Sequence, residues 1–378
     1  IDPDPLPPSI TYHVEGYAEL GSFDHNSTLT VFPLDKSLAH IEEQAYGGKV
    51  ETDYGLFSAS GNMKFQESLY FEVQVSGNFF NGTKGRRSEH KTTLRAINHV
   101  INHDDEERSI NRYIKLPVTN VNIFTQLTAA RICTLLKKAA GYNEMSHTIT
   151  DIYRNASEQA LKEVLTAFSI SDIYVSMLSI DPTRASFSQY NAPASMMAAV
   201  SNILLTSVDE ELLDTFFTEW DKDFAPDGCI DNEDIKESIR DGQQSLKYTN
   251  VYKQLDSFYK AYDFKSDFPE FWKFVDRNGD GILDKQDKPD DFEITEEELT
   301  PSKQQCIQLL EQVNKYLRDF LQTECVWEAN FCGAIGPIPD YPTTLVPTDS
   351  EVYEIWTAAY ATIPVSYTHL TLPTSDLV

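Results

Sequence analysis

The chain has 378 residues, more than one ordinary core encloses, so two or three domains are expected. Its 59 acidic residues against 31 basic ones leave a formal net charge of −28. A field of that sign favours divalent cations and repels phosphate backbones and anionic headgroups, which argues against nucleic acid as a partner and against a membrane surface bound through bulk charge.

Apolar residues make up 41% of the chain, enough to bury real cores, and no apolar run is long enough to cross a membrane as a helix. Residues 1–9, rich in Pro and Asp, read as a linker just inside a processed or clipped start. From residue 10 to 118 the pattern alternates. Segments 10–20, 27–34, 49–60, 68–75 and 91–96 carry Val, Tyr, Phe and Thr at period two, separated by Gly, Asn and Asp clusters. Short strands with such punctuation suggest a β-sandwich, with the charged stretch 103–108 as a loop tip. His99 and His103 have the four-residue spacing of a metal pair on a helix, but they fall in strand and loop. Ser58 and Ser60 lack the strand–elbow–helix setting of a nucleophile.

At about residue 119 the period changes to that of helices, and residues 119–265 read as an all-α domain. Val121, Phe124, Leu127, Ile132, Leu135 and Leu136 form one stripe, which Gly141 ends. Tyr153, Ala156, Ala160, Leu161, Val164, Leu165 and Phe168 form a second. Further helices are expected near 194–205, 209–220, 232–245 and 250–262. The stripe Phe268, Phe271, Trp272 and Val275 predicts a helix leading into the next feature.

That feature is DRNGDGILDKQD, residues 276–287. Calcium takes six to eight hard oxygens at flexible geometry, and a twelve-residue EF-hand-type loop supplies them from fixed positions. Asp276, Asn278 and Asp280 fill positions one, three and five. Gly281 takes position six, where the chain turns sharply, and Ile282 offers its carbonyl at seven. Asp284 at nine acts through a water, and Asp287 closes the loop. Pro289 follows almost at once, so no exiting helix is expected. Asp at position twelve is shorter than the usual Glu, which points to a structural site with Kd on the order of 10⁻⁴ M or tighter. The loop belongs with a later helix at 300–322, capped by Thr300 with Pro301 behind it, in a region spanning 266–332.

A second acidic stretch, residues 221–234, overlays the first with a two-residue insertion. Asp221, Asp223, Asp227, Asp231 and Asp234 then fall on ligand positions, but the insertion breaks the spacing, and an acidic interhelical turn with capping aspartates is the favoured reading. The chain carries none of HExxH, GxSxG, GxxxxGK[ST] or GxGxxG, and no catalytic site is expected. Of the five cysteines, Cys133, Cys229, Cys306, Cys325 and Cys332, only the last two are spaced to pair, and only in an oxidising compartment; free thiols are the alternative. Residues 333–349 are a Pro/Gly linker, and 350–363 begin another helical domain.

The segments VEGYAELGSFDHNSTLTVFPLD, GLFSASGNMKFQESLYFEVQVSGNFFN, LPVTNVNIFTQLTAARICTLL and SEQALKEVLTAFSI resemble a group of Bacteroidetes outer-surface lipoproteins. Their first domain is similar to the carboxypeptidase-regulatory, transthyretin-like β-sandwich, which is not itself a peptidase. The resemblance implies export, a lipid anchor upstream of this chain as its only membrane attachment, and an outer-membrane or cell-surface location. DSEVYEIWTAAYATI resembles the opening helix of SusD-like glycan-binding lipoproteins. Within residues 364–378, SYTHLTLPTSDLV resembles a translated sequencing-adapter tail, so the native chain is expected to continue past residue 363.

The expected fold is therefore α+β and multidomain, an N-terminal β-sandwich followed by an all-α domain with an EF-hand-like calcium loop. The expected function is a calcium-binding, non-catalytic surface protein serving glycan capture, with a glycan or another surface protein as partner. The alternatives are an accessory region of a larger surface hydrolase and, last, a dockerin-like assembly module.

Overall fold

A computed structural model of the chain describes residues 10–289 apart from 64–67, 101–112, 143–147 and 263–267. All of these lie in one compact unit, Ile1–Phe292; the second unit, Glu293–Val378, falls outside the described residues. The expected 1–9 linker, 103–108 loop tip, 300–322 helix, 333–349 linker and 350–363 helix, with His103, Cys306, Cys325, Cys332 and the 364–378 tail, lie outside them too.

Ten strands form in chain order. They are β1 (Thr11–Glu19), β2 (Thr28–Pro33), β3 (Tyr46–Val50), β4 (Leu56–Asn62), β5 (Tyr70–Gly77), β6 (Phe80–Asn81), β7 (Arg86–Arg87), β8 (Thr92–His99), β9 (Tyr113–Lys115) and β10 (Val121–Asn122). The alternation in β1 is that of a strand with one face inward: Tyr12, Val14 and Ala18 are buried, while His13, Glu15 and Tyr17 look out. Segment 49–60 is not one strand. Gly55, at φ +88, closes a turn with its N–H on Thr52 O and splits the segment between β3 and β4.

The chain is α+β. Eight of the strands join one curled sheet in the order β10-β1-β4-β3-β2-β5-β8, with β9 alongside β1, while β6 and β7 form a ribbon of their own. The curl brings the outer strands together: Asn98 Nδ2 on β8 donates to Thr119 Oγ1, next to β10, at 2.9 Å. The strands expected to divide between two sandwich sheets are thus paired into one sheet, and the layer against it is helical. The physical reason lies in the free edge of β8, which meets side chains instead of another strand. Thr93 N donates to Asp214, Arg95 N to Gln126 at 2.9 Å, and Ile97 O accepts from Tyr153. An edge satisfied in this way is closed to further strands.

Those side chains come from helices α1 (Ile123–Lys138), α2 (Thr148–Ala167) and α5 (Leu213–Phe224); α3 (Ile173–Met177), α4 (Ala192–Ser207), α6 (Glu233–Ser245) and α7 (Tyr248–Lys260) complete the set. α3 was not anticipated. The other helices fall within a few residues of their expected positions, except that β10 takes Val121 and α1 starts at Ile123. Asn122 caps α1 in a capping box with Thr125, and its Nδ2 also donates to Pro182 O and Ala185 O. One hydrophobic core runs from Tyr12 on the sheet to Val275 beyond the helices, so residues 118 and 119 mark a change of element type across which packing is continuous.

Glu19, at the end of β1, is fully buried and accepts from Ser186 Oγ (3.1 Å) and Phe187 N (3.2 Å). Burial pushes its carboxyl up to about 8, so it is protonated near neutrality. A carboxyl whose folded value is raised binds its proton more tightly when native, so stability falls as pH rises from the unfolded value to the folded one. Between about pH 5 and 8 this costs up to ~1.4 kcal/mol per pH unit. Glu19→Gln is expected to flatten that decline in urea denaturation and to be the more stable protein at the alkaline end. Parallel curves for the two proteins would remove Glu19 as the cause.

Candidate metal centre

The stripe Phe268, Phe271, Trp272 and Val275 is buried as expected, but it does not form a helix. Pro269 lacks the N–H that a helix needs and disfavours helical geometry at the residue before it. Only a single 3₁₀ turn, Trp272–Phe274, precedes the loop, and another, Lys285–Asp287, ends it. Among the described residues the 276–287 loop is flanked only by these turns, and aromatic packing holds it on one side. Phe271 meets Tyr248 of α7 at 4.6 Å between ring centroids.

Within the loop, Gly279 (φ +74) and Gly281 (φ +77) are left-handed, as position six demands. Asp276 and Asp287 are buried, 3% and 1% exposed, and each draws backbone N–H groups inward. Asp276 accepts from Gly279 N and Gly281 N at 2.8 and 2.9 Å, and Asp287 from Arg277 N at 2.8 Å and Asp284 N at 3.0 Å. The other predicted ligands are exposed. Asn278 Nδ2 donates to Asp280 Oδ2 at 2.9 Å, Asp280 accepts from Ile282 N, and Asp284 caps the closing turn through Gln286 N. Among the described residues, no three or more His, Cys, Asp or Glu side chains are gathered closely enough to hold a metal ion. The loop is not a preassembled cage.

The donor set nevertheless suits a hard cation, since each carboxylate oxygen that takes one N–H keeps a second lone pair. Charge balance points the same way. Among the described residues, no Lys, Arg or His nitrogen lies within ion-pair distance of Asp276, Asp280, Asp284 or Asp287. Arg277, inside the loop, turns away to Lys288 O.

The stretch 221–234 is built differently. Asp221 is held by Arg95 at 2.6 Å and faces the sheet, apart from the turn. Asp223 accepts from Asp231 N and Asn232 N, and Asp227 from Cys229 N. Asp231 and Asp234 are exposed. The loop's carbonyls point at a guanidinium. Arg131 of α1 donates to Ala225 O, Pro226 O and Asp227 O, and grips Glu163 through two bonds of 2.7 and 2.8 Å. The carbonyls of this turn are thus taken by a protein cation. These five aspartates are not brought together as a ligand set: Arg95 claims Asp221, backbone N–H groups claim Asp223 and Asp227, and Asp231 and Asp234 face solvent.

His99 is buried on β8, 3.1 Å from Thr150 Oγ1, and burial lowers its pKa to about 4. Ser60 meets His13 Nδ1 at 2.9 Å on the outer face of the sheet, and His13 Nε2 lies 3.7 Å from one oxygen of Glu15, whose other oxygen pairs with Lys115 at 2.6 Å. Ser58 donates to Glu51. Two cysteines, Cys133 and Cys229, are free thiols.

Removing Arg131, 4% exposed, strands three carbonyls and Glu163. Arg131→Met is expected to cost about 3 kcal/mol or more in urea denaturation, with Arg131→Lys in between because it keeps the charge without the fork. Equal stability of all three proteins would contradict the clamp. Compared with known protein families, curated proteins and solved structures, the chain matches nothing in any of the three.

Proposed function

We propose that residues 276–287 bind one calcium ion, and that the chain is a non-catalytic module which calcium stiffens. The observation that carries this is the pair of buried carboxylates, Asp276 and Asp287, which among the described residues have no cationic side chain within ion-pair distance. Buried charge is costly unless a counter-charge or metal meets it, and backbone N–H groups meet only part of that need. Asp276, Asn278, Asp280, Asp287 and the Ile282 carbonyl would hold the ion, with Asp284 acting through water. The ion would supply positive charge at the centre of the ring, where the acidic side chains otherwise repel one another. Binding would require the Asn278–Asp280 hydrogen bond to open.

The setting follows from the acidity and the segment resemblances: an exported, lipid-anchored surface protein serving glycan capture, with a glycan or another surface protein as partner. In the same reading the loop is a single EF-hand-type site.

Calcium bound only by the folded state stabilises it by mass action, about 2.7 kcal/mol at roughly a hundredfold excess over Kd. In a unit of this size that is a rise in Tm of about 5 °C. Calcium is expected to raise Tm by this amount in the wild type and not in Asp280→Ala, whereas magnesium, which demands near-ideal octahedral geometry, does less. A wild-type melt indifferent to calcium would overturn the reading.

A further inference from the structure

One groove of about 740 Å³ runs between α2 and α6 and ends against the 276–281 part of the loop. We propose that this groove binds a small organic anion of two or more charges, and that calcium on the loop strengthens its hold; the calcium half rests on the function proposed above.

Three cations line the groove, Lys162 from α2 and Lys236 and Arg240 from α6, together with four carboxylates: Glu163, which Arg131 holds, Asp172, and the loop's Asp276 and Asp280. Lys162 is tied to Glu158 and Lys236 to Glu233, each at 2.8 Å, and each ammonium retains donors for a further partner. Arg240 is exposed and, among the described residues, makes no ion pair, so its planar fork is free to take a carboxylate, sulfate or phosphate. An apolar strip, Ile230 and Ile239, gives the ligand's carbon skeleton a surface to lie on.

The same groove is lined by Asp276 and Asp280, two of the predicted calcium ligands. Without the ion, their charges oppose the field of the three cations and weaken the pull on an anion. With the ion bound, that opposition is lifted. Calcium and anion are then coupled, and the coupling is reciprocal: each raises the affinity for the other by the same factor.

The test is a calorimetric titration of the full chain with naphthalenedisulfonate, which is permanently charged and does not sequester calcium, run in calcium and in EDTA. Wild type is expected to bind in calcium and about fivefold or more weakly in EDTA. Arg240→Ala, an exposed change whose melt should match the wild type, is expected to lose about tenfold, the worth of a hydrogen bond to a charged group. Asp280→Lys, which places positive charge on the rim without any metal, should strengthen binding in EDTA. No saturable binding in any condition, or equal affinity in Arg240→Ala, overturns the proposal. If calcium gives heat of its own but neither calcium nor Asp280→Lys changes the affinity for the probe, the groove falls and the calcium loop stands. If calcium gives no heat while Asp280→Lys still strengthens binding, the groove stands and the calcium loop falls.

Discussion

Every buried negative charge in this acidic chain has to be met by a cation, a set of donors or a proton, and how each is met organises the molecule. Glu72 on β5 is met by Arg95 and by His40, whose Nε2 lies 3.1 Å away. Burial alone would raise Glu72, yet His40, Arg95 and Gln74 together hold its carboxyl below the ordinary value. Glu163 is met by Arg131. Glu19 has two neutral donors and no cation, and it keeps its proton. Among the described residues, Asp276 and Asp287 are met by backbone N–H groups alone, and the proposed calcium site rests on that difference.

Helix α1 ties these solutions into one fold. Asn122 at its start holds the carbonyls of Pro182 and Ala185, and Gln126 satisfies the β8 edge. The Leu127 carbonyl receives Trp220 Nε1 at 2.9 Å, and Arg131 clamps the 225–227 turn. Each of these four groups satisfies a backbone or ring group of a different element that would otherwise be stranded. Sheet and helices therefore share one core, and Gly228, Cys229 and Ile230, just past the turn that Arg131 clamps, line the same groove as Asp276, Gly279, Asp280 and Gly281.

Much of this was legible in the residues, for identifiable reasons. The alternation of Tyr12, Val14 and Ala18 reads as a strand because its period is two, and the apolar stripes of α1, α2 and α4 read as helices because theirs is near 3.6. Gly281 reads as a left-handed turn because only glycine takes that geometry without strain, and it does take it. Strands of two or three residues, β6, β7, β9 and β10, are too short to show a period. The aromatic stripe before the loop has helical spacing, yet Pro269 breaks it, so burial was predicted correctly and conformation was not. Arg131 lies inside an apolar helical run, where a lone guanidinium signals a buried partner, but the identity of that partner depends on which loop folds beneath it. The pairing of Asp221 with Arg95 spans 126 residues and is invisible to local spacing.

The contrast between the two acidic loops, one gripped by Arg131 and the other with no cation on its aspartates among the described residues, reduces to a count. The most direct measurement is the number of calcium ions bound per chain at saturation, by calorimetry with native mass spectrometry, in wild type and in Asp276→Asn. One ion in the wild type and none in the variant is the expected result. No ion in the wild type, or an ion that survives the loss of Asp276, would contradict it.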